Sequence, residues 1–117
     1  MRFLSIYKSA ERGVPPSQEE MTKMGKLIED EMKAGTLLAT EGCLPTALGA
    51  RVRISGGKVT VTDGPFTEAK EVVGGYALVE VKSKEEALDV ARQFMELHRV
   101  HWPAFEGECE VRPLEDM

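Results

Sequence analysis

Apolar and polar residues alternate along RFLSIYK (2–8), which predicts a strand with Phe3, Ser5 and Tyr7 on one face and Leu4 and Ile6 on the other. Both faces carry apolar side chains, so both call for cover. ERGVPP (11–16) breaks the alternation and reads as a loop. The period then lengthens: Met21, Met24, Leu27, Ile28 and Met32 recur at helical spacing, behind a capping box of Ser17 and Glu20 and ahead of Gly35. That methionine-rich stripe is expected to pack as core rather than as a pliable binding surface. TLLATEG (36–42) predicts a second strand and CLPTALGA a loop. RVRIS-GG-KVTVT (51–62) predicts a hairpin with Gly56-Gly57 at the turn, pairing Ile54 with Val59 and Val52 with Val61 on one apolar face. GYALVEV (75–81) reads as a central strand, with Tyr76 and Leu78 on one side and Ala77, Val79 and Val81 on the other. A second capping box, Ser83 with Glu86, opens a broadly apolar helix to about His98. GECEVRP (107–113) closes the pattern as a strand with Cys109 and Val111 inward.

The order β-α-β, hairpin, β-α-β fits an α+β domain of split βαβ, ferredoxin-like layout with an inserted β-hairpin. Without an internal repeat or a domain-sized linker, residues 1–117 are expected to form one domain. Two helices cover only one face of such a sheet. Strand alternation, with Phe3, Tyr7, Tyr76 and Leu78 assigned to the other face, leaves an apolar surface there, and a second copy is the expected cover. The chain is therefore expected to be a homodimer.

Composition narrows the functional classes. A net charge of −5, with Lys and Arg dispersed among carboxylates, argues against a nucleic-acid surface. The apolar runs are too short to span a membrane, and MRFLSIYK is too short and interrupted for a signal peptide. Cys43 and Cys109 have no ligand-like spacing. A cytoplasmic protein with reduced thiols and neither metal nor organic cofactor is expected.

The densest chemistry lies in VTDGPFTEAKEVVGG (61–75). At DGPFTEAKE (63–71) the chain resembles the DGPF-type branch of the YCII-related family. The likeness continues through TEGCLP (40–45), GARVRISGGKVTVTDGPF (49–66) and VGGYALVEVKSKEEAL (73–88) to GECEVRP. The resemblance implies a dimeric α+β barrel and brings no settled reaction: most relatives are uncharacterised, and a dehydrochlorinase activity belongs to a more distant branch.

Two readings of Asp63-Gly64-Pro65 stay open. As a corner, Asp63 bonds downstream backbone, Pro65 occupies a position without a donor, and Phe66 plugs the core behind it. As a pocket wall, Asp63 is held by Arg51 across the hairpin base and acts as a general base, with Lys70 and Phe66 beside an acidic ligand. By alternation, Ser5, Tyr7, Glu41 and Tyr76 form the opposite wall on the helix-free face; the other reading gives both tyrosines to the dimer interface. His98 and His101, three residues apart, are weaker candidates for proton transfer. With Glu96 or Glu106 they would make a metal site, but Pro103 after them favours a plain helix end. The expectation is a small-molecule-binding homodimer with cofactor-free acid–base chemistry in an intersubunit or DGPF-loop pocket. The alternative is a non-catalytic regulatory or partner-binding module.

Overall fold

The structure, a computed structural model, describes residues 1–11 and 16–115. The loop expected at 11–16 lies mostly outside them. Among the described residues, six strands and two α-helices follow in the order β1 (Arg2–Ser9), α1 (Gln18–Lys33), β2 (Leu37–Gly42), β3 (Ala50–Ser55), β4 (Lys58–Asp63), β5 (Val72–Glu80), α2 (Lys84–His101) and β6 (Gly107–Pro113). Both helices start where the sequence sets their caps. The Ser17 hydroxyl accepts from the Glu20 amide at 3.1 Å and the Ser83 hydroxyl from the Glu86 amide at 3.3 Å. The Glu86 carboxylate accepts from the Lys82 amide, one residue earlier than a reciprocal box requires. Gly35, just past α1, has φ +78°, the left-handed conformation a side chain resists. α2 runs one turn beyond His98, and Trp102, before Pro103, ends it.

β2, β5, β1 and β6 form one antiparallel sheet in that spatial order, and among the described residues β3 and β4 pair only with each other. The hairpin register is as expected, including Ile54 opposite Val59 and Val52 opposite Val61. With φ of +59° and +77° at Gly56 and Gly57, the turn matches the twist of its strands.

The face assignment of β1 is corrected. Phe3 pairs with Val79, Ser5 with Ala77 and Tyr7 with Gly75, so all three point to the helix side, not away from it. Opposed residues in an antiparallel pair share a face, and β5 had set which face is which. Phe3 is 2% exposed at the centre of a core with Leu37, Val79, Val81 and Ala87. The helix-free face instead carries the pairs Leu4–Leu78 and Ile6–Tyr76, so it remains apolar with different residues. The methionine stripe also needs revision. Met24, Leu27 and Ile28 turn inward, whereas Met21 and Met32 at its ends are about half exposed.

Candidate functional site

The space between helices and sheet is filled at one end and hollow at the other, and the side chains of the sheet explain why. Along β5 the inward residues shrink from Val79 to Ala77 to Gly75; along β2 they pass from Leu37 to Thr40 to Gly42. Helices rest at a separation set by the bulky pairs, so the small residues leave a gap. The result is a cavity of about 280 Å³ roofed by α1 and α2. Neither floor glycine tolerates a side chain. A Cβ on Gly75 would lie 2.8 Å from the Glu41 carbonyl oxygen, and one on Gly74 would lie 2.8 Å from the Tyr7 ring. Gly74 is the extra residue where the β1–β5 register shifts after Tyr7.

The inner wall is aromatic. Tyr7 meets Phe94 edge to face at 5.4 Å, stacks on Phe105 at 5.9 Å and sits 5.2 Å from the His98 ring. Ser5, Tyr7 and Cys109 bring a hydroxyl, a phenol and a thiol to the cavity lining. Burial pushes the Cys109 thiol up from its ordinary value, more than its hydrogen bond with Ser5 draws it down, so it stays protonated at neutral pH. The Thr40 hydroxyl, on the β2 side of the cavity, donates to the Tyr76 carbonyl at 2.8 Å. Glu41 and Gly42 are exposed, so the cavity opens to solvent at the β2 edge of the sheet.

Of the residues singled out from sequence, Ser5, Tyr7, Glu41 and Tyr76 border this one cavity. They do not meet on the helix-free face as alternation implied: Ser5 and Tyr7 rise from the helix side, while Glu41 and Tyr76, opposite each other on β2 and β5, stay on the helix-free face and border the cavity only at its mouth. The crevice therefore lies on the opposite side of the sheet from the expected one.

Asp63, Arg51, Phe66 and Lys70 belong to a separate corner. Arg51 does not hold Asp63; it pairs with the Glu68 carboxylate and places its guanidinium 3.8 Å above the Phe66 ring. In the hairpin register Arg51 lies opposite Thr62, while Asp63 lies opposite Ala50 and is exposed, as is Lys70. Phe66 is half-buried under Arg51, outside the main core. The corner closes on the 3₁₀ turn Thr46–Leu48: the Gly64 amide donates to the Gly49 carbonyl at 2.9 Å, and the Phe66 amide to the Thr46 hydroxyl at 3.1 Å. The Gly64–Pro65 peptide is cis, and a Cβ on Gly64 would lie 1.7 Å from the Thr46 carbonyl oxygen. These bonds are those of a structural corner.

His98 is 5% exposed, packed among Tyr7, Phe94 and Phe105, with Nδ1 3.0 Å from the Phe94 carbonyl oxygen. His101 is the half-buried last residue of α2. Glu96 is engaged by Arg99, at 3.0 Å from Nε to Oε2. Among the described residues no group of three His, Cys, Asp or Glu side chains is placed to hold a metal ion, and no helix is long and apolar enough to cross a membrane.

Sequence reasoning missed the cavity and its roof, Met24, Leu27, Phe94 and Glu31. One signal was available: two glycines inside a strand, Gly74-Gly75, mark a place where a side chain would be in the way.

Residues 1–97 match the YCII-related domain. The chain is also similar, at 40% identity over 83 residues, to an uncharacterized protein of Rhizobium meliloti (strain 1021). The matched segment is 71% of this chain and spans only 63% of that protein's length.

Proposed function

The chain belongs to the YCII-related domain family, and from that premise we propose that it is a small-molecule-binding homodimer whose ligand occupies the cavity between helices and sheet. One observation carries the reading: a cavity of about 280 Å³ whose floor is kept free of side chains by glycines. That size is near the lower end of small-molecule sites, roughly 300–1,000 Å³. Tyr7, at the inner wall, is the group that would exchange a proton with the ligand, without a cofactor; Glu41, opposite Tyr76, projects from the other face of the sheet at the mouth. DGPFTEAKE supports membership of the DGPF-type branch, and the corner it forms would hold the hairpin rather than the ligand.

The dimer rests on the second unusual feature. Val52, Ile54, Val59 and Val61 are 66–75% exposed along one face of a hairpin that joins no other strand among the described residues. A lone two-stranded hairpin is marginal in water, so this arm needs cover. The sheet order β2-β5-β1-β6 suits a ferredoxin-like layout. Two copies packed through their helix-free faces, each hairpin lying on the partner, would form a dimeric α+β barrel. The same hairpin face favours the alternative, a partner-binding module without catalysis, if a different protein covers it.

Ala77→Leu tests the ligand reading, since it projects a larger side chain from the cavity floor. Compounds that raise the melting temperature of the parent protein in a small-molecule screen are expected to lose that effect on the variant. Undiminished stabilisation of the variant would move the site elsewhere.

A further inference from the structure

The charged residues that line the cavity are all carboxylates, Glu31 and Glu41. Glu31 is the more informative. Met24, Leu27 and Ile28 form the inward stripe of α1, and the next position of that stripe, one turn on, is Glu31. An amphipathic helix ordinarily continues such a stripe with an apolar residue. The neighbouring acids of α1 are tied down on its outer side: Glu29 to Lys33 at 2.8 Å and Asp30 to Lys26 at 3.3 Å. Glu31 and Glu41 have no ion pair among the described residues. Deeper in, the polar groups are uncharged: the Ser5 and Tyr7 hydroxyls and the Cys109 thiol.

From this arrangement we infer that the cavity takes a lipophilic amine, its ring or branched body between the helices and the sheet and its ammonium group facing Glu31. The inference rests on the proposed ligand site and adds the class of ligand. An anionic molecule would bring a charge beside Glu31 and into apolar surroundings, where an unpaired charge is costly. A neutral molecule gains the apolar contacts alone. An amine gains them and an opposite charge at a half-buried carboxylate. Glu41, exposed at the mouth and opposite Tyr76 on the other face of the sheet, adds a smaller attraction because it is farther away and water screens it.

Three probes of like shape separate the possibilities: tryptamine, 3-ethylindole and indole-3-propionate, titrated calorimetrically at pH 7 and low ionic strength into the full chain. Tryptamine is expected to bind about fivefold more tightly than 3-ethylindole, and indole-3-propionate more weakly than either. Glu31→Gln is expected to remove most of the tryptamine preference and leave 3-ethylindole unchanged; Glu41→Gln is expected to remove less. Thermal melting of both variants confirms that they fold. Tryptamine binding no tighter than 3-ethylindole, or indole-3-propionate binding as tightly as tryptamine, overturns the amine assignment and leaves the cavity site standing. A tryptamine preference that survives Glu31→Gln also overturns it. Failure of all three probes to bind overturns the assignment and the cavity site together.

Discussion

Val59→Thr separates the stability of the protomer from the stability of the proposed dimer. The substitution keeps the β-branched shape and exchanges one methyl group for a hydroxyl. In the protomer Val59 is 66% exposed, opposite Ile54 on the apolar face of the hairpin. An exposed site of this kind changes folding stability by no more than about 0.5 kcal/mol. Under the cover of a second copy the hydroxyl is desolvated without a partner, at a cost of about 1–3 kcal/mol. Two-fold symmetry places the residue in the interface twice. The dimer is thus weakened by about 2–6 kcal/mol, which is a rise in Kd of roughly 30-fold at least, at 1.4 kcal/mol per decade. Sedimentation velocity over a dilution series reads that rise directly, and melting of the diluted protomers checks that their fold is unaffected. If the variant dissociates at the same concentration as the parent, the hairpin is not the interface. A parent that sediments as a single chain at every concentration removes the dimer itself.

Three further outcomes follow from other parts of the molecule. Gly64→Ala drives a methyl group into the Thr46 carbonyl, 1.7 Å away, so the corner must open; a loss of about 3 kcal/mol in urea unfolding is expected, and an unchanged midpoint would show that the corner is pliant. The Lys8 ammonium, hydrogen-bonded at 2.7 Å, and Arg112 at 2.9 Å hold the Glu110 carboxyl below its ordinary value of 4.5. Its contribution is therefore present above the unfolded-state value and is lost as pH falls through the lower folded-state value, so Glu110→Gln is expected to flatten the melting temperature against pH below about 5. An acid limb identical to the parent's would show that the pair adds nothing. Cys43 is exposed while burial raises the Cys109 thiol, so iodoacetamide at pH 8 is expected to label Cys43 first, with mass spectrometry of the digest as the readout; faster labelling of Cys109 would contradict the protonated thiol on the cavity wall.

How far the chain could be read in advance differs between its parts. The two serine N-caps, the Gly56-Gly57 turn with its register, and the final strand Gly107–Pro113 all rest on local rules, and each was legible residue by residue. The candidate site was legible only as a set of residue types. Tyr7, Glu41 and Tyr76 stood out for their chemistry, but the phasing of β1 against β5 puts Tyr7 on the helix side and leaves Glu41 and Tyr76 on the other. Alternation within a strand says which residues share a face; it does not say which face the helices choose. The Arg51–Asp63 pairing failed for a related reason. Hairpin register sets Arg51 beside Thr62, and Glu68, beyond the corner, becomes reachable only once Gly64 and Pro65 have turned the chain.

The amino-acid sequence by itself determined the order of strands and helices, their caps and turns, and the family, since these depend on periodicity and on backbone preferences over a few residues. Only the tertiary structure decided that Phe3 anchors the core, that the interlayer space is hollow above Gly42, Gly74 and Gly75, and that Glu31 completes an inward stripe beside it. A void arises from what distant segments fail to fill, and that depends on the spacing between layers rather than on any one stretch of chain.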